Sequence, residues 1–139
     1  MLNGIHPVLT GELLGHLDAM GHSDAVVVAD AHFPAARLAS RLLTFPGLGT
    51  PDVLAAVRTV LPLDDAPGLD LMAAPPGTDV PVHAELQAAA GAGEADVRWL
   101  DRHAFYEEAA RAYVVVRTGE TRIYANALLR KGVVQEGAR

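Results

Sequence analysis

The sequence predicts an α/β fold built on a largely parallel sheet. Three observations carry that expectation. Ala25–Ala29 is a continuous valine-rich run without polar alternation, the pattern of a strand covered on both faces. Further short strand-like runs follow at 42–45, 69–73, 97–100 and 113–117, separated by stretches of helical character. Half of the 139 residues are hydrophobic and 20 % are charged, a composition that sustains one folded core.

Thr10 to Met20 reads as the first helix, with Thr10 as its cap and Leu13, Leu14 and Leu17 on one face. Gly21 is expected in the left-handed conformation that ends helices. The Ala25–Ala29 strand closes at Asp30, and Ala31-His32-Phe33-Pro34 forms the loop beyond it. Leu42–Phe45 is a short strand stopped by Pro46-Gly47. Thr50-Pro51-Asp52 opens a helix, with proline at its first position and Val53, Leu54, Val57, Val60 and Leu61 as its apolar face. After a loop from Pro62 to Gly68 come a strand over 69–73, a helix over 80–90 ended by Gly91 and Gly93, a strand over 97–100 and a helix over 102–112. Tyr113–Arg117 and Thr121–Tyr124 read as a hairpin around Thr118-Gly119-Glu120, which adds an antiparallel pair to the sheet. Asn126–Lys131 is a short final element. One domain spans 1–134, and 135–139 form a loose tail.

Composition removes several functions. A net charge of −6 lacks the basic face that nucleic acid requires. With no cysteine there is no disulfide, thiolate metal site or cysteine nucleophile. Met1–Thr10 has no basic start followed by an apolar stretch, and no apolar run approaches the roughly 18 residues of a membrane span. A cytoplasmic protein is expected. Walker, dinucleotide-binding, serine-hydrolase and zincin motifs are all absent.

The remaining candidates are scattered polar groups. Asp30 lies at the carboxyl end of a buried strand, where open α/β sheets bind ligands. His22 precedes the same strand. Fully extended, the intervening chain spans roughly 25 Å at about 3.3 Å per residue, so the two meet only through a bent loop or across a subunit contact. Taken alone, the residues favour the structural reading, His22 as an exposed turn residue and Asp30 as a helix or turn cap. Asp30 and His32 could begin a metal site, but no third ligand stands nearby. Arg102 opens a helix, where a cation gains nothing from the macrodipole unless an anionic or hydroxyl-rich partner faces it. Tyr124-Ala125-Asn126 offers a hydroxyl and an amide suited to a neutral polyol, or simply a strand end and turn.

Taken in order, Met20-Gly21-His22-Ser23-Asp24, Ala29-Asp30-Ala31-His32-Phe33-Pro34, Phe105-Tyr106-Glu107, Thr118-Gly119-Glu120, Tyr124-Ala125-Asn126 and Lys131-Gly132-Val133 resemble the fucose mutarotase and ribose pyranase family from the N-terminus to about Val134. The resemblance implies a three-layer α/β/α fold with a mixed, mostly parallel central sheet. It also implies a cofactor-free, metal-free isomerase of a free monosaccharide, assembled as a homo-oligomeric ring, a decamer, with sites at subunit contacts. On that resemblance His22 is the catalytic acid/base, and Asp30, Arg102, Tyr124, Ala125 and Asn126 hold the sugar. Ala31-His32-Phe33-Pro34 and Arg102 are similar to the L-fucose branch, whereas Ala125 within its motif is similar to the D-ribose branch. Two alternatives stand beside L-fucose mutarotation: a D-ribose pyranase, and a ring that binds sugar without turnover. No nucleic acid or membrane partner is implied.

Overall fold

The computed structural model describes residues 1–137. The tail expected at 135–139 therefore falls partly outside the described residues, at 138–139. Six strands form one sheet: β1 (Ala25–Ala29), β2 (Leu42–Phe45), β3 (Leu69–Met72), β4 (Val97–Leu100), β5 (Val114–Thr118) and β6 (Ala127–Arg130), in the order β2-β5-β1-β6-β3-β4. β6 runs antiparallel to β1 and β3, and the other pairings are parallel.

Helices cover both faces, as a continuous apolar strand demands. Val26 and Val28 point to α1 (Gly11–Ala19), α3 (Thr50–Arg58) and α4 (Val82–Ala90), where Leu13, Leu17, Leu54, Val57 and Leu86 close the larger core. Val27 and Ala29 point to α2 (Ala35–Leu38) and α5 (Arg102–Arg111), where Ala35, Phe105 and Ala109 close the smaller one. The three-layer α/β/α architecture and its mixed, mostly parallel sheet are as expected.

The hairpin expected at 113–124 does not form. Both edges of β5 are occupied, by β2 and by β1, so Thr121–Tyr124 has no strand to pair with. Tyr124 adopts φ 61°, which a strand does not accommodate. The chain instead crosses the end of β1 and inserts β6 between β1 and β3, the place read as a short final element. Gly119 permits that crossing, since a Cβ there would lie 1.9 Å from the Pro46 carbonyl oxygen.

Smaller differences have local causes. Gly21 is not left-handed; that conformation falls on Ser23, with φ 68°. Gly49, not Thr50, caps α3. The Thr50 hydroxyl is 3.1 Å from that of Thr118 instead. α3 ends at Arg58, which leaves Val60 exposed. α4 begins at Val82, two residues after its expected start. The single turn of α2 is too short to show a periodicity.

Candidate functional site

A cleft of about 250 Å³ opens at the carboxyl end of the parallel strands. Asp30 leaves β1 into it, Met72 ends β3 beside it, and Arg102 begins α5 at its rim. Because β6 runs the other way, the residues that enter β6 arrive at this same end, and they bring Tyr124 and Asn126. Thus four expected site residues, Asp30, Arg102, Tyr124 and Asn126, line one cleft with His32, Phe33, Met72, Tyr106 and Ile123.

Asp30 is 2 % exposed, yet no cation is hydrogen-bonded to it among the described residues. Its Oδ1 accepts from the His32 amide at 2.9 Å and its Oδ2 from the Ala125 amide at 3.2 Å. Burial raises its pKa, and these backbone donors offset that only in part. A desolvated carboxylate at the mouth of a cleft is a candidate for function.

Asn126 orients the other wall. Its Oδ1 accepts from the Asp30 amide at 2.8 Å, while its Nδ2 faces the Met72 thioether at 3.7 Å, a weak acceptor. Arg102 follows the cap Asp101, whose Oδ1 accepts from the Ala104 amide. Among the described residues Arg102 forms no ion pair. Tyr124 is held from behind by His83, whose Nε2 lies 3.2 Å from the Tyr124 carbonyl oxygen and whose pKa burial pushes down. Ala125 is placed behind the cleft: it is fully buried and its amide faces Asp30.

The aromatic floor packs edge to face, with the Phe33 centroid 5.4 Å from Tyr106 and 5.8 Å from Phe105. Met72 and Ile123 line the cleft without any sequence signal, one as the end of a strand and the other inside the segment expected as a hairpin. His32 directs Nε2 to the Thr121 carbonyl oxygen at 3.1 Å. Among the described residues no three His, Asp or Glu side chains group as metal ligands.

His22 stands apart. It belongs to the turn before β1, at the opposite end of that strand from Asp30, and does not line the cleft. Its Nε2 is 2.9 Å from Asp64 Oδ1, with 60 % of its side chain exposed. The turn is anchored by Lys131, whose Nζ donates to the carbonyls of Leu17 at 2.8 Å and Met20 at 2.7 Å. Gly132 allows this end of β6 to lie close to the next segment: a Cβ there would be 2.5 Å from the Leu63 carbonyl oxygen.

One face of this chain thus carries a polar cleft at the strand ends of an α/β sheet, and the other carries an exposed, carboxylate-bound imidazole. Residues 3–134 match the RbsD / FucU transport protein family, and the chain belongs to that family. Among solved structures, the fucose mutarotase of Streptococcus pneumoniae in complex with L-fucose is 34 % identical, with a TM-score of 0.89 over 96 % of this chain and 100 % of that one. FucU from Bifidobacterium longum is 37 % identical, with a TM-score of 0.86 over 96 % of this chain and 100 % of that one. Bacillus subtilis RbsD complexed with D-ribose is 26 % identical, with a TM-score of 0.76 over 94 % of this chain and 98 % of that one. No helix among the described residues is long and apolar enough to cross a membrane.

Proposed function

We propose that this protein is a cofactor-independent sugar isomerase that interconverts the α and β anomers of a free monosaccharide, L-fucose, by general acid/base catalysis. The observation that carries the reading is the convergence of Asp30, Arg102, Tyr124 and Asn126 on one cleft, in a chain similar over 96 % of its length to a fucose mutarotase solved with L-fucose. The groups suit a polyol. Asp30 accepts from sugar hydroxyls, Arg102 and the Asn126 amide donate to them, and the Tyr124 hydroxyl does either. Phe33 and Tyr106 offer apolar surface to the C–H face of a pyranose.

Anomer exchange needs a proton taken from the anomeric hydroxyl and one given to the ring oxygen. The bond between the anomeric carbon and the ring oxygen breaks, an open-chain aldehyde forms, rotation exposes its other face, and the reverse transfers close the ring. No atom is gained or lost. A histidine, whose ordinary pKa is about 6.5, serves in both directions at neutral pH, and a positioned acid/base contributes about 10²–10⁴-fold. We assign this role to His22. Because His22 and Asp30 lie at opposite ends of β1, the imidazole reaches a sugar bound at Asp30 only from another copy of the chain, which supports a homo-oligomeric ring, a decamer in our reading.

A second reading, pyranose–furanose exchange of D-ribose, is supported by the likeness to RbsD complexed with D-ribose. Saturation-transfer NMR on the anomeric protons separates the two. Faster α/β exchange of L-fucose, lost in H22A, is the expected result. Acceleration of D-ribose alone favours the second reading, and binding without acceleration of either sugar defeats both.

A further inference from the structure

We infer that Asp64 is the positioning residue of His22: it holds the imidazole through Nε2, Ser23 holds Asp64, and the nitrogen left to exchange protons with a sugar is Nδ1. The inference rests on the acid/base reading of His22 and adds which of its nitrogens acts.

The two residues are 42 apart in sequence and meet because both segments grip the end of β6. The Ser23 amide donates to the Lys131 carbonyl at 2.8 Å, and the Asp64 amide donates to the Arg130 carbonyl at 3.0 Å. That places the Asp64 carboxylate between two side chains. Oδ1 is 2.9 Å from His22 Nε2, and Oδ2 accepts from the Ser23 hydroxyl at 2.8 Å. The Asp65 amide also donates to Oδ1 at 2.9 Å.

The Ser23 hydroxyl, then the His22 ring, keep Asp64 below the usual carboxylate range, so it is ionised at neutral pH. An ionised carboxylate only accepts, so the proton must sit on Nε2 and the lone pair of the neutral ring on Nδ1. Selecting one tautomer through a hydrogen bond at the other nitrogen is how a histidine base is commonly set.

Stability does not explain the arrangement. His22 is 60 % exposed, and a surface pair of this kind contributes little to folding. Ser23 also adopts φ 68°, a conformation that glycine takes freely and serine does not. What serine adds there is a hydroxyl, and the hydroxyl is directed at Asp64.

The test uses the full chain labelled with 15N-histidine. His22 side-chain signals are assigned by their loss in H22A, and anomer exchange of L-fucose and D-ribose is followed in the same samples. The wild type is expected to show the Nε2–H tautomer at His22. In D64A the tautomers mix, and exchange falls on the order of 10²-fold, within the span of a positioned acid/base. S23G keeps the turn, removes the hydroxyl and is expected to give a smaller change of the same kind. An unchanged His22 tautomer in both variants overturns the inference, whatever the sugars do. A shifted tautomer with unchanged exchange overturns the role of Asp64 in turnover. A wild type that exchanges neither sugar overturns the proposed function instead, and the tautomer shift still tests the pairing.

Discussion

Asp30, just past the end of β1, and Asp70, within β3, are both buried carboxylates, 2 % and 0 % exposed, and their surroundings differ in kind. Asp70 faces the α5 side, where Arg98 of β4 donates through Nε at 3.0 Å and Nη2 at 2.9 Å. Arg130 of β6 donates from the other side through Nη1 at 3.0 Å, and Glu108 of α5 balances the second positive charge. Burial pushes the Asp70 pKa up, but hydrogen bonds and charge from Arg130 and Arg98 outweigh it, and the net direction is down. Asp30 undergoes the same burial with no guanidinium beside it among the described residues; the His32 and Ala125 amides and the nearby His32 and Asn126 side chains offset burial only in part, and its pKa goes up. The fold satisfies one carboxylate completely and leaves the other short of partners where a cleft opens. A ligand's hydroxyls can supply what Asp30 lacks and have nothing to offer Asp70.

The largest effect that follows is on stability. D70A removes the buried carboxylate shared by Arg98, 41 % exposed, and Arg130, 18 % exposed. Breaking a fully buried pair from one side costs about 3–5 kcal/mol, and partial exposure, with Glu108 still facing both arginines, makes that the upper bound. Urea unfolding is expected to show a clear loss of stability up to that bound, with weakened sugar exchange only in proportion to the unfolded fraction. An intact fold with abolished exchange would assign Asp70 to the site and erase the contrast.

The architecture was legible in the sequence because its signals are local. The valine run of β1 declares burial on both faces, and Thr10 declares the start of α1, where its hydroxyl accepts from the Leu13 amide at 3.2 Å. Strand order is not local. Nothing in Tyr113–Tyr124 tells that β5 is paired on both sides, so the segment reads as a hairpin where the chain instead runs past Asp30. The cleft was legible residue by residue and not as a geometry, since Asp30 and Asn126 join across 96 positions. Asp64 gave no signal at all: a carboxylate in a polar loop looks like any other until β6 brings it to His22. Backbone strain was equally invisible. Among the described residues the non-glycine ones with positive φ, Ser23 and Tyr124, stand one beside the imidazole and one in the cleft, where strain is most often retained.

The next effect separates the two aspartates by pH. D30N keeps the size of the side chain and removes the charge, so folding is expected to survive while sugar binding weakens. Hydrogen bonds to a charged group are worth about 1.5–3 kcal/mol, which is roughly 10–100-fold in affinity. The folded pKa of Asp30 is raised, so its ionisation costs stability as pH rises from its unfolded value near 3.9 through the folded value. Wild type should therefore gain on D30N as pH falls from neutrality through the folded pKa toward about 4. Asp70 behaves oppositely. Its folded pKa is lowered, so its stabilisation is complete above the unfolded value of about 3.9 and disappears as pH falls through the folded one. The gap between wild type and D70A should close in acid over that lower range. Unfolding curves from pH 7 downward that moved in the same direction for both variants would remove the distinction.

The smallest effect on stability belongs to Arg102, and it sharpens the comparison most. Arg98 and Arg130 are arginines whose charge the fold uses; Arg102, among the described residues, has no ionic partner and sits at the first position of α5. There it opposes the helix dipole, an unfavourable placement worth about 0.3–1 kcal/mol at an exposed site. R102A is therefore expected to leave the unfolding midpoint unchanged or slightly raised, since it relieves that opposition and adds a better helix former. Sugar affinity, measured by titration calorimetry with L-fucose, should nevertheless fall, because the cleft loses a cationic donor. Destabilisation with unchanged affinity would make Arg102 a structural arginine like the other two. Weaker binding at unimpaired stability would show that α5 carries a cation at its unfavourable end for the sake of the ligand.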